Sequence, residues 1–278
     1  MPAVRRAEAL SAHDFDVVLC DLDGVVWLAH HAISGAADGI ARLRAAGAQV
    51  VFVTNNSFAR VGDQEAALEA IGIPAAGDVV TSAQAAAALV EPEARVLVCG
   101  GPGVVEAVAE RGAEPVEIPA GTGDPDPVDA VIVGFHRSFD YERMRQAAAA
   151  VRLGARLIGT NDDATYPTPE GPIPGGGAIL AAVATAAGAT PTVAGKPHPA
   201  MAAFIRARIG ASRPIMVGDR VDTDGLFAAT LRCPFVLVRS GVTPPEAAVD
   251  VAAALDVADL GAAADALLGR SEPTETRR

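Results

Sequence analysis

At 278 residues the chain is longer than one hydrophobic core usually serves, which predicts two lobes. Half of its residues are hydrophobic and 20% are charged, a globular composition that excludes general disorder. The formal net charge of -12 argues against a nucleic-acid or anionic-membrane partner, which needs a basic face, and a phosphate-bearing substrate would require local positive charge from a metal ion, a lysine or backbone N–H groups.

Along the chain, Arg5 and Arg6 precede no apolar run, and Glu8, Asp14 and Asp16 punctuate the residues after them, so no secretory signal is expected. Short apolar, β-branched runs at 16–20, 49–53, 95–99, 128–133, 155–158, 192–194, 214–217 and 234–238 predict strands, with Ala-rich helical segments between them. Near-continuous apolar strands alternating with helices indicate an α/β fold with a doubly wound parallel sheet covered on both faces. In such sheets ligands sit beyond the carboxyl ends of the strands, so the residues just after each run are the ones to read for chemistry. The apolar stretch 175–189 is too short to span a bilayer, and the polar tail 271–278 is expected to fray. Cys20, Cys99 and Cys233 are odd in number and far apart, which fits core thiols in a reducing, cytoplasmic compartment.

Four strand ends carry the chemistry. The first run leads into Asp21-Leu-Asp-Gly24, where Asp21 and Asp23 can aim at one side and Gly24 lets the chain turn. One carboxylate can attack phosphorus while the other handles protons, although the same pattern also ends ordinary strands as a turn. The second run ends in Thr54-Asn55-Asn56-Ser57, whose hydroxyls and backbone N–H groups can cradle an anion or simply cap a helix. After 192–194 comes Gly195-Lys196-Pro-His198, and Lys196 is the sole lysine among 22 basic residues. A chain that otherwise uses arginine keeps a compact ammonium there. The run 214–217 leads into Gly218-Asp219-Arg-Val-Asp222-Thr-Asp224, a hard-oxygen set suited to Mg2+ rather than zinc, which an acidic solvated turn would also produce.

Taken in this order, the four segments resemble the haloacid dehalogenase superfamily, with motifs Asp-x-Asp, Ser/Thr, Lys and Gly-Asp-x-x-x-x-Asp. The likeness covers nearly the whole chain and is closest to the NagD-type, class IIA capped phosphatases, which show patterns like Val53-Thr-Asn-Asn-Ser57, Gly159-Thr-Asn161, Pro174-Gly-Gly-Gly-Ala178 and Gly218-Asp-Arg-Val-Asp-Thr-Asp224. The resemblance implies a Mg2+-dependent phosphatase that hydrolyses a small phosphorylated metabolite through an aspartyl-phosphate. Asp21 would be the nucleophile and Asp23 the general acid and later base. Mg2+ would be held by the Asp21 carboxylate, the Asp23 backbone carbonyl and Asp219, with Asp224 in support. Thr54, the backbone around Asn55 and Lys196 would hold the phosphoryl oxygens. Cap-mediated homodimers are common among similar proteins. A phosphonatase would need a second lysine, which the chain lacks.

Spacing places the second lobe. Asp21 and Thr54 are 33 residues apart, enough for one helix and a return strand, whereas Thr54 and Lys196 are 142 apart. An inserted α/β cap over 84–190 is therefore expected, with the core formed by 1–83 and 191–278, as in class IIA. Within the cap, 160–171 is polar and proline-stiffened, and Asn161 and Tyr166 are the expected substrate-specificity residues; a tyrosine packing the lobe interface is the competing reading. Gly100-Gly-Pro-Gly-Val-Val-Glu106 lacks the last glycine of a dinucleotide fingerprint and reads as a tight strand-to-helix turn. His30 and His31 read as a solvated loop, and His198 either orients Lys196 or substrate, or caps a helix. The competing function is a catalytically idle binding or scaffold protein on the same fold, against which Asp23 and Lys196 argue.

Overall fold

The computed structural model describes residues 14–28, 31–118, 126–166, 168, 171–244, 246–247 and 251–269. The segment read for a signal up to residue 13, His30, Pro167, Pro169 and the tail 271–278 lie outside the described residues. In chain order the first elements are β1 (Val17–Cys20), β2 (Trp27–Leu28), β3 (His31–Ala32), α1 (Ala36–Ala45), β4 (Gln49–Thr54), α2 (Val61–Ala70), β5 (Val79–Thr81) and α3 (Ser82–Ala87). There follow β6 (Arg95–Cys99), α4 (Pro102–Glu110), β7 (Glu114–Glu117), β8 (Ala130–Val133), α5 (Tyr141–Arg152), β9 (Arg156–Gly159), β10 (Thr165–Tyr166), β11 (Ile173–Pro174), α6 (Gly176–Ala187) and β12 (Thr192–Val193). The last are α7 (Pro199–Ile209), β13 (Pro214–Gly218), a π-helical turn at Val221–Gly225, α8 (Leu226–Leu231), β14 (Phe235–Val238), β15 (Leu255–Val257) and α9 (Leu260–Leu267). All eight runs read as strands hold strands, with ends shifted by at most two residues. His31 is exposed as expected but sits on β3, paired with Leu28, rather than in a loop.

Two compact units divide the chain. The first comprises Met1–Phe52, Leu68–Asp78 and Ile209–Arg278. In it, parallel strands follow the order β15-β14-β13-β1-β4. β1, β13 and β14 are buried along their whole length, which is why they read as continuous apolar runs and not as alternations. Cys20 is in register with Val217 on one side and Phe52 on the other, so Asp21 leaves β1 level with the end of β13. α1 packs on α9, where Gly39 and Gly261 allow close approach and Arg42 bonds both Asp265 and the Gly261 carbonyl.

The second unit comprises Val53–Ala67 and Val79–Arg208. Its five-stranded parallel sheet has the order β12-β9-β8-β6-β7. α5 and α6 pack together, and their core joins Leu97, Val131, Val133, Leu157, Ile179, Leu180 and Val183. Asp140 caps α5 by accepting the Arg143 N–H at 2.8 Å, and a capping box between Thr81 and Gln84 starts α3. The Gly100–Glu106 segment is the expected strand-to-helix turn from β6 into α4. A Cβ at Gly101 would strike Phe58 and one at Gly103 the Ala59 carbonyl, so these glycines serve close packing.

Candidate active site

Asp21 follows β1 directly, and its N–H donates to the Val217 carbonyl of β13 at 2.9 Å. Its Oδ1 accepts the Leu22 N–H at 2.8 Å, which fixes the carboxylate at the strand end. Asp219, one residue beyond β13, is fully buried; its Oδ2 accepts the Val242 N–H at 2.5 Å and its carbonyl the Thr243 hydroxyl at 2.5 Å. Asp224 enters from the π-helical turn, in which the Gly225 N–H reaches the Arg220 carbonyl, and its Oδ2 accepts the Arg220 N–H at 3.2 Å. The three buried carboxylates bring oxygens within 4.8 Å of one another. Like charges so close, out of water, demand a cation or a shared proton. An all-oxygen set without cysteine or histidine fits a hard divalent cation.

Glycines make room for this cluster. A Cβ at Gly24, where φ is +87°, would strike the Asp219 carboxylate, and so would one at Gly241; a Cβ at Gly218 would strike Asp224. Asp23 is half-buried, and its Oδ1 accepts the Trp27 indole N–H at 3.1 Å across the turn from β1 to β2. Ser240 donates to the Gly24 carbonyl at 2.7 Å.

In the second unit, Thr54 is buried and its Oγ1 accepts the Asn56 N–H at 3.0 Å. The Asn55 side chain is engaged with Lys196: Oδ1 accepts the Lys196 N–H at 2.8 Å, and Nδ2 donates to the Lys196 carbonyl at 3.0 Å and to Asp163 Oδ2 at 3.0 Å. The Lys196 residue is 1% exposed. Asn161, also buried, donates from Nδ2 to the Asn55 carbonyl at 2.8 Å and accepts the Asp163 N–H at 3.2 Å. Tyr166 is half-buried and stacks on Phe135 with centroids 5.4 Å apart; Phe135 in turn meets Phe58 edge-on at 6.1 Å. His198 pairs with Asp162 at 2.9 Å.

Thus the structure brings Asp21, Asp219 and Asp224 together in one unit, with Asp23 two residues from Asp21. It brings Asn55, Lys196 and Asn161 together in the other. Trp27, Ser82 and the 240–243 loop join the site without a motif of their own, and Asp163 joins it from within the 160–171 segment. The 240–243 loop follows β14, so the strand-end logic that marks Asp219 reaches it too; Trp27 and Ser82 carry no such signal.

Family models for haloacid dehalogenase-like hydrolases match residues 18–114 and 193–263. The D-glycerol 3-phosphate phosphatase of Mycobacterium tuberculosis is 38% identical over 236 residues, spanning 83% of this chain but 65% of that protein, just under two thirds. The acid sugar phosphatase of Staphylococcus saprophyticus is 34% identical over 239 residues, 84% of this chain and 90% of its own length. A crystal structure of the M. tuberculosis glycerol phosphate phosphatase in complex with magnesium superposes with a TM-score of 0.81 at 34% identity, covering 94% of this chain and 79% of that one. The chain belongs to the haloacid dehalogenase-like hydrolases. Within them it falls in the NagD-type, class IIA branch of capped phosphatases, which also includes a p-nitrophenyl phosphatase from Archaeoglobus fulgidus at TM-score 0.81, 28% identity and coverage of 91% and 100%. Among the described residues no helix is long and apolar enough to cross a membrane.

Proposed function

We propose that this chain is a Mg2+-dependent phosphatase for small phosphate monoesters. The observation that carries the reading is the buried set of Asp21, Asp219 and Asp224 oxygens within 4.8 Å of one another at the carboxyl ends of β1 and β13. Asp21 and Asp219, with the Asp23 carbonyl, would hold the ion and Asp224 would support it; when bound, Mg2+ offsets the negative charge of carboxylates and phosphate.

Asp21 attacks phosphorus in line and becomes the aspartyl-phosphate as the alkoxide leaves. Asp23 gives that oxygen its proton, and the resulting carboxylate then takes a proton from the water that cleaves the acyl phosphate. The Trp27 indole N–H, donating to Asp23 Oδ1 at 3.1 Å, helps to orient this carboxyl group. Thr54, the backbone around Asn55 and the Lys196 ammonium hold the transferring phosphoryl oxygens. Residues 84–190 form the cap, and Tyr166 reads the leaving group from the loop that Asn161 braces. The named activities of the relatives point to three-carbon and sugar phosphates as first substrates to try. A cytoplasmic location accords with Cys20, Cys99 and Cys233 all standing outside disulfides.

The test is phosphate release over a panel of phosphometabolites, with Asp21→Asn beside wild type. Asp21→Asn is expected to lose at least about 10³-fold in kcat, because an amide cannot form the acyl phosphate, while its Tm holds. Activity within tenfold of wild type would remove Asp21 from the nucleophile role. An idle scaffold would release no phosphate from any substrate.

A further inference from the structure

We infer that Asn55 is the positioning residue for Lys196, and that it ties the lysine to the loop at 161–163. The inference rests on Lys196 holding a phosphoryl oxygen, and goes beyond it by naming what holds the lysine. The chemistry of the contacts determines the residue type. Lys196 presents a donor N–H and an acceptor carbonyl, and Asp163 presents an acceptor carboxylate. Only a primary amide meets all three from one planar group, and the partners determine which end is oxygen. Aspartate at this position would offer no donor and would set a carboxylate against Asp163 and against the lysine carbonyl. Glutamine would be one methylene too long for a space already tight: a Cβ at Gly195 would lie 2.6 Å from the Asn55 Oδ1 and 2.6 Å from the Thr160 carbonyl.

The main chain of Asn55 is itself pinned. Its carbonyl accepts from Ser82 Oγ at 2.8 Å and from Asn161 Nδ2 at 2.8 Å. Asn161 also accepts the Asp163 N–H, so the loop leading to Tyr166 and the lysine share one anchor. A shift of that loop on binding a leaving group is passed through the Asn55 amide to the Lys196 peptide, and from there to the ammonium. Asn55 acts through Lys196 and transfers no proton or phosphoryl group itself.

Because Lys196 is the sole lysine, protein labelled with 15N-lysine gives one backbone amide signal, which reports directly on the N–H that Asn55 accepts. In Asn55→Ala this signal is expected to move and its hydrogen exchange to quicken about tenfold, as for a lost buried hydrogen bond. In Asp163→Ala, where the anchor stays but its second acceptor goes, the same signal is expected to move as well. In kinetics, Asn55→Ala should lose about 10- to 100-fold in kcat with KM within threefold. Asn55→Asp should regain activity relative to wild type as pH falls from 8 to 5, when protonation restores a donor. A Lys196 signal that stays put in both Asn55→Ala and Asp163→Ala, or an Asn55→Asp profile parallel to wild type, overturns the inference. The amide signal needs no turnover: wild type that releases no phosphate would refute the phosphatase reading while leaving the amide result intact.

Discussion

Gly241→Ala tests the metal cluster from a residue that would ligate nothing. Its Cβ would lie 2.5 Å from Asp219 Cγ and 2.7 Å from Asp219 Cβ, and would strike Oδ2 as well. Ordinary carbon contacts begin near 3.5 Å, so the carboxylate or the loop must give by about 1 Å. Asp219 cannot swing freely, because it is fully buried and its Oδ2 is held by the Val242 N–H. Overpacking of this kind costs about 1–3 kcal/mol, or roughly 2–12 °C in Tm for a chain of this size. The displacement matters more than the strain, since metal–ligand distances tolerate only about 0.2 Å and a 1 Å misplacement costs about 100-fold in rate. Wild type in excess Mg2+, at about 100 times Kd, should gain about 2.7 kcal/mol of stability. Differential scanning fluorimetry with and without MgCl2, paired with phosphate release, should show Gly241→Ala losing both that gain and its activity. Gly47→Ala is the control: φ there is +92° with nothing within 4 Å of the added carbon, so it carries backbone strain of about 1–2 kcal/mol and keeps the Mg2+ response. Gly241→Ala that keeps the wild-type Mg2+ gain and activity would refute the assignment of Asp219 to the ion.

Lys196→Arg is expected to lower kcat/KM by at least about tenfold on every substrate, because a planar guanidinium does not fit a 1%-exposed space built for an ammonium; steady-state kinetics across the panel decide it. Tyr166→Ala should reorder substrates by roughly 2- to 13-fold while Asp21 chemistry stays intact, since it removes one ring from the stack with Phe135; a uniform loss would assign Tyr166 to packing. Burial, more than the nearby Arg143, lowers the His136 pKa from its usual 6.5, so His136 contributes stability that is present above pH 6.5 and lost as pH falls through 6.5 toward the folded value. Tm measured at pH 7.5 and 5.5 should drop in wild type and drop less in His136→Gln. Burial likewise pushes the Cys99 thiol up to about 12, so native protein at pH 8 should leave Cys99 unmodified by iodoacetamide.

The strands most legible in the sequence are those such as β1, β13 and β14, buried along their whole length, where composition alone marks them; β5, buried but only three residues long, shows no such run. β7, Glu114-Pro-Val-Glu117, lies at a sheet edge with exposed glutamates and a proline, so it reads as polar chain. β15, Leu255-Asp-Val257, is the other sheet's edge, three residues long with its aspartate exposed, and it too shows no apolar run. The β2–β3 and β10–β11 pairs have two residues per strand, too few for any period to show. Each of these elements owes its conformation to a partner strand and not to its own residues.

The site divides along a similar line. Asp21, Asp23, Lys196 and Asp219 were chosen for charge, and charge is rare at the end of an apolar strand, so each stands out against its surroundings. Asn55, Trp27, Ser240 and Gly241 are chosen for reach and shape, and those residue types also cap helices, fill cores and make turns. Their partners lie far along the chain: 141 residues separate Asn55 from Lys196, and 216 separate Ser240 from Gly24. A local reading cannot tell an asparagine that caps from one that brackets a distant peptide, since both present the same amide. The distinction exists only once folding has supplied the partner. Substitutions at the charged residues therefore test which reaction occurs, whereas substitutions at Asn55 and Gly241 test why these charges stand where that reaction needs them.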